Sequence, residues 1–116
     1  MSAPKPGRPV RGSQTGRPIM ALLDLLGRRH VLRVIWELRD GPLSFRDLQA
    51  ACGGISSSVL NERLGELRAA EIVAVRDIGG FELTGEGRRL LDAFLPLEAW
   101  AARWAKRSHD VVDESR

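Results

Sequence analysis

The sequence predicts a mainly α fold carrying one small β-hairpin, and three observations point to it. Four leucine- and valine-rich stretches between Ile19 and Ala70 repeat at three- and four-residue steps, the signature of amphipathic helices. Val73, Val75 and then Phe81, Leu83 alternate at period two around Gly79-Gly80, as in a hairpin. A last apolar stripe recurs at helical spacing from Leu90 to Trp104.

At 116 residues the chain suits one domain with one core. No apolar run approaches the roughly 20 residues of a membrane span. The basic N-terminus has no apolar stretch before a cleavage site, so no signal peptide is expected and the cytoplasm is the expected location. The single cysteine, Cys52, excludes an internal disulfide framework and a Cys-rich zinc site. No His/Cys/Asp/Glu set has metal-ligand spacing, no glycine-rich phosphate loop is present, and no nucleophile–base pair is visible. No enzyme activity, cofactor, metal or membrane partner is therefore expected.

Charge is unevenly spread. Residues 1–18 hold Lys5, Arg8, Arg11 and Arg17 with no acid, residues 19–107 are balanced to within one charge, and residues 108–116 hold Asp110, Asp113 and Glu114 against Arg116. The high isoelectric point belongs largely to the N-terminal arm. That arm, rich in Pro, Gly and Ser, cannot bury enough apolar surface to offset its ordering entropy and is read as disordered. Its cations suit phosphate contact or simply solubility. The expected organisation is a basic arm (1–18), a folded domain (19–107) and an acidic C-terminal tail (108–116).

The elements follow in order. Ile19, Leu22, Leu23 and Leu26 share a face of a first helix that Gly27 stops. In the second, Val31, Leu32, Val34, Ile35 and Leu38 form a broad apolar face, closed by Asp40-Gly41-Pro42. Ser44 is a good N-cap for the third, with Asp47 favouring the positive end of its dipole. Phe45, Leu48 and Cys52 line one side, which makes Cys52 a small core residue rather than a reactive thiol, and Gly53-Gly54 ends the helix. Ser56 caps the fourth, with Ile55 and Leu60 spaced as a hydrophobic staple. Leu60, Leu64 and Leu67, with Val59 beside them, form its buried stripe. Ser57, Ser58, Asn61, Glu62 and Gly65 then face away from the core. The plain reading of that face is a solvated helix surface. Its short hydroxyl and amide groups also suit the mixed donors and acceptors of base edges in a major groove.

Two short helices joined by Gly-Gly-Ile-Ser have the layout of a helix-turn-helix, and a β-ribbon after it is the order of a winged helix-turn-helix. The three-helix core is thus followed by a wing with Arg76 as its cation, built on a tight primed turn at Gly79-Gly80. Thr84 caps the last helix, in which Pro96 should produce a kink or restart. Trp100 and Trp104 need a partner surface: a second copy of the chain, or its own first helix.

The run from Gly41-Pro42 through Phe45, Leu48, Gly54-Ile55-Ser56, Leu60, Arg63-Leu64 and Leu67 to Leu83-Thr84 and Gly87 resembles the HxlR-type winged-helix transcriptional regulators, relatives of the MarR group. The likeness covers roughly residues 19–105. It implies a homodimer on double-stranded DNA, joined through the N- and C-terminal helices, with Ile19, Leu22, Leu23, Leu97, Trp100 and Trp104 as interface residues. It puts Ser57, Ser58, Asn61 and Glu62 at the bases, behind the Ser56 cap. It puts Ser44 and Arg46 at phosphate, and Arg76 with Gly79 and Gly80 near the flanking backbone. Arg63 supports the helix or reaches phosphate. Three departures bear on mechanism. The family commonly carries an oxidant-sensing cysteine before the first helix, and residues 1–30 hold none. The wing is short. The family's Lys-Trp at the second helix is Arg29-His30 here, with His30 read as a core or boundary residue rather than a pH sensor.

The expected function is a dimeric, sequence-specific DNA-binding regulator, a repressor that occupies an inverted-repeat operator. A small-molecule effector, of unknown identity, would act in a cleft between the dimer helices and the winged domain. The alternative is a winged-helix protein-interaction module without DNA binding. Its motive is the near-neutral domain, the reduced wing, and three acids, Glu62, Glu66 and Glu71, on the reading helix.

Overall fold

The computed structural model describes residues 17–114, with side chains as far as Ser108. Most of the expected basic arm, residues 1–16, lies outside this range. Helices α1 (Pro18–Leu26), α2 (Val31–Glu37), α3 (Phe45–Ala51) and α4 (Ser57–Ala69) precede strands β1 (Val73–Val75) and β2 (Phe81–Leu83), and α5 (Gly85–Glu114) completes the chain. The mainly α winged helix-turn-helix predicted from the sequence is the fold observed.

Helix α2 is the centre. Val31, Val34, Ile35 and Leu38 are essentially inaccessible, and α1, α3, α4 and α5 all pack against this helix. Leu48 of α3, Leu60, Leu64 and Leu67 of α4, Ile72, Val73, Leu83 and Leu91 close the same cluster. Leu32, expected in the apolar face of α2, is nearly half exposed. Helix α1 also turns differently from expectation. It buries Ala21, Leu25 and Leu26, while Ile19 and Leu23 point outward and Leu22 packs only partly on the core. Both helices are apolar on more than one side, so tertiary packing chooses which side goes inward.

The strands pair antiparallel with Val73 opposite Leu83 and Val75 opposite Phe81. Leu43 adds a bridge to Phe81 from the other edge, through Leu43 N–H to Phe81 O (3.0 Å) and the reverse bond (2.8 Å). The hairpin loop is not the expected primed turn on Gly79-Gly80. The Gly79 amide donates to the Arg76 carbonyl (3.0 Å), Arg76 N–H donates to Gly80 O (2.9 Å), and Asp77 and Ile78 keep negative φ. This is a three-residue loop in which left-handed Gly79, at φ 94, forms the bulge.

Thr84 explains the join to α5. Its hydroxyl donates to the Glu71 carbonyl (2.6 Å) and accepts from the Gly87 amide (2.9 Å), so one side chain ties the end of α4 to the start of α5. A Cβ at Gly87 would stand 2.2 Å from the Ile72 carbonyl, so only glycine permits this approach. Pro96 does not restart α5, which is unbroken from Gly85 through Glu114. Asp110, Asp113 and Glu114 of the expected tail therefore belong to its last turns. No described helix is long and apolar enough to cross a membrane.

Candidate nucleic-acid interface

The candidate face is assembled by α3, the turn after it, and α4. Ser44 caps α3, its hydroxyl accepting from the Asp47 amide at 3.0 Å. The end of α3 is closed by Gly53 at φ 80 and Gly54 at φ 74, with Gly53 N–H bonded to Ala50 O and Gly54 N–H to Gln49 O. This paired closure with a left-handed residue satisfies the last carbonyls of the helix. Gln49 then reaches across the turn. Its amide donates to the Ile55 carbonyl (2.8 Å) and lies 3.3 Å from the Ser57 hydroxyl. Sequence reasoning missed this brace, because a glutamine in a short helix carries no signal of what it will meet.

Ser56 caps α4 by accepting from the Val59 amide at 3.2 Å, and its hydroxyl lies 3.4 Å from that of Ser58. Leu60, Leu64 and Leu67 bury one side of α4; Val59 is only partly covered. That anchoring leaves Ser57, Ser58, Asn61, Glu62 and Gly65 exposed together, with Asn61 making no side-chain hydrogen bond among the described residues. Arg46 on α3 is exposed and forms no ion pair among the described residues, whereas the Ser44 hydroxyl is engaged in its cap. Arg68, in the last turn of α4, adds an exposed cation that the sequence reading did not single out.

Other residues expected at this face are placed elsewhere or otherwise engaged. The Arg63 side chain is only 16% exposed. It donates to the Arg29 carbonyl at 2.8 Å and pairs with Glu66. Glu66 is buried, and Glu71 lies beyond the end of α4 in a left-handed conformation, φ 62. Of the three acids expected on the reading helix, Glu62 alone is exposed within it. Arg76 sits 3.9 Å from Glu82 across the hairpin, and Ile78 at the wing tip is 82% exposed. The wing thus offers little free positive charge.

The expected dimer residues separate as well. Ile19, Leu23, Leu97, Trp100 and Trp104 are each about half exposed, whereas Leu22 leans on the core. The two tryptophan rings stack at 5.9 Å between centroids, 18° apart in plane. Cys52 is buried, and burial, reinforced by the nearby Glu37 carboxylate, pushes its thiol pKa up from the ordinary value. No group of three or more His, Cys, Asp or Glu capable of holding a metal occurs among the described residues.

What remains is a helix of 13 residues, about 20 Å long. It is anchored by leucines and presents short donors and acceptors, a size and chemistry matched to a major groove. Comparison with known proteins agrees. The family model described as HxlR-like helix-turn-helix matches residues 25–109. The HTH-type transcriptional regulator YodB of Bacillus subtilis is 32% identical over 98 residues, covering 79% of this chain and 88% of that protein. The crystal structure of quinone-bound YodB superposes with a TM-score of 0.69 at 34% identity, over 73% of this chain and 96% of that one. The transcriptional repressor BigR from Xylella fastidiosa gives a TM-score of 0.59 at 28% identity, over 68% and 81% of the two chains. With the caps, the turn, the wing and the family match in accord, this chain belongs to the HxlR-like helix-turn-helix family of transcriptional regulators.

Proposed function

We propose that the protein is a cytoplasmic homodimer that binds an inverted-repeat operator and represses by occupying it. The observation that carries this reading is the exposed polar face of α4, where Ser57, Ser58, Asn61 and Glu62 stand opposite three buried leucines. Asn61 is the principal base reader, Ser57 and Ser58 contribute short-range contacts, and Arg46 and Arg68 neutralise flanking phosphates. The wing plays a minor part, since Arg76 faces Glu82. Repression needs only occupancy, and BigR, a structural neighbour, is a repressor. The burial of Glu66 and the displacement of Glu71 remove much of the negative charge that favoured a protein-interaction module.

The test is selection of bound sequences from a random duplex pool by the full-length protein. An inverted repeat with half-sites about one helical turn apart is expected. Recovery of no sequence, or of a single unpaired half-site, overturns the proposal. Asn61→Ala is expected to reduce discrimination among sites by about 1–3 kcal/mol, the worth of one good base contact. Equal weakening on all duplexes would remove Asn61 from the reading set.

A further inference from the structure

Glu66 is the one charged residue buried among the described residues, at 5% exposure. Both of its carboxylate oxygens are taken, by arginines from different parts of the fold. Oε2 accepts from Arg28 in the turn joining α1 to α2, and Oε1 accepts from Arg63 on α4. Arg28 continues to Asp24 of α1 at 3.4 Å, and Arg63 continues to the Arg29 carbonyl at 2.8 Å. Arg63 also lies 3.6 Å from the exposed Glu62 carboxylate. Two cations thus serve three carboxylates, and the buried one, Glu66, is paired on both oxygens, which is the condition for keeping its charge out of water.

The leucine stripe of α4 holds that helix against the core through contacts that have no preferred direction. An arginine–carboxylate pair is directional. A cleft of about 420 Å³ opens between α1 and α4, lined by Leu23, Asp24, Arg28, Arg29, Glu62 and Arg63 among others. Deeper in, Leu25 and Leu26 of α1 share the buried cluster with the leucines of α4, while at this cleft the α1–α4 seam is open and the polar clamp runs along it. At its far end Asp24 adjoins Leu23, part of the exposed apolar face of α1.

We propose that Glu66 is a positioning residue: clamped by Arg28 and Arg63, it sets the angle of α4 on α1, and hence the tilt and separation of the two reading helices in the dimer. The second half of this statement rests on the DNA-binding reading above. Specificity for half-site spacing is then written partly in a residue that touches no nucleotide.

The test compares full-length wild type with Glu66→Gln, which keeps shape and loses charge, and with Arg28→Lys, which keeps charge and loses the fork. Amide hydrogen exchange is measured in the free proteins. Affinity is measured for the selected operator, for the same half-sites respaced by one or two base pairs, and for random duplex. Exchange is expected to quicken about tenfold or more, confined to α4 and the turn at residues 27–30. Operator affinity is expected to fall about tenfold, with spacing preference flattened and random-duplex affinity held within about twofold. Unchanged exchange in α4, a uniform rise throughout the core, or equal losses on operator and random duplex would overturn the proposal. The last two mark Glu66 as an ordinary stabilising residue. Should wild type select no operator, the DNA reading fails, and the clamp is judged by the location of the exchange change alone. Should Glu66→Gln not fold, Arg28→Lys carries the same comparisons.

Discussion

Glu71 holds a left-handed conformation, φ 62, one residue past the C-cap of α4. Its amide bonds to Arg68 O and the next amide, Ile72, bonds to Leu67 O. This is the same closure that ends α3, where Gly53 occupies the equivalent place at φ 80. A side chain in that conformation costs on the order of 1 kcal/mol, whereas glycine adopts it freely. Glu71→Gly is therefore expected to stabilise the protein, by roughly 0.5–1 kcal/mol after the added entropy of the unfolded chain. A guanidinium melt reads this directly, and a lowered midpoint would show that the Glu71 side chain supplies more than its backbone costs. The two helix ends also show how local legibility fails. Gly53-Gly54 announces its turn, but glutamate is an ordinary helix former. It is held left-handed by tertiary contacts: the Thr84 hydroxyl donating to its carbonyl and the burial of Ile72 behind it.

Within α4 as an element, Gly65 has no structural role in this chain: it is exposed, and a Cβ there would meet nothing within 4 Å. A mid-helix glycine costs about 1 kcal/mol relative to alanine, so Gly65→Ala is expected to raise the melting temperature by about 4–8 °C. Gly65 lies four residues after Asn61, on the same face. If that face enters a groove, the added methyl stands where the helix approaches closest, and operator affinity falls while stability rises. A variant that is more stable and binds equally well would take Gly65 out of the contact surface. At this scale the sequence was most informative about caps, the α4 stripe and the strand pairing, since Ser44, Ser56, the leucines and the period-two residues act through neighbours in the chain. It was least informative where partners come from afar. The side of α1 that faces inward depends on α2, and Glu66 reads as a surface acid because Arg28 is distant in sequence. The one local hint is Arg63, three residues before Glu66 along the edge of the leucine stripe. Pro96 misled for a different reason: it and Asp92, whose carbonyl loses its helical partner, are both exposed, so water can serve the freed acceptor.

At the scale of the whole molecule, the described part of the core ends early on α5. Among the described side chains Leu91 is the last that is buried and Phe94 the last that leans on the core, yet the helix runs on to Glu114 and carries Leu97, Trp100 and Trp104 half exposed. Ile19 and Leu23 leave a second apolar strip on α1. At about 25 cal/mol for each Å² of apolar surface removed from water, two tryptophans alone are a substantial drive toward association. A second copy supplies identical apolar strips, and a two-fold axis would present two α4 faces to one side of a duplex. Joining two readers makes the second contact intramolecular, so the dimer's advantage over a monomer on an operator is expected to be about 10²–10⁴. A Trp100→Glu, Trp104→Glu double variant tests this cleanly, because both side chains are half exposed and lie beyond Phe94, the last core contact of α5 among the described residues, so the winged domain should fold without them. Sedimentation equilibrium is expected to find wild type dimeric and the variant monomeric. Operator affinity should drop by that factor, while binding to a duplex bearing a single half-site stays unchanged. A variant that remains dimeric would move the interface away from these tryptophans, and a monomeric wild type would leave the inverted repeat without a symmetric partner.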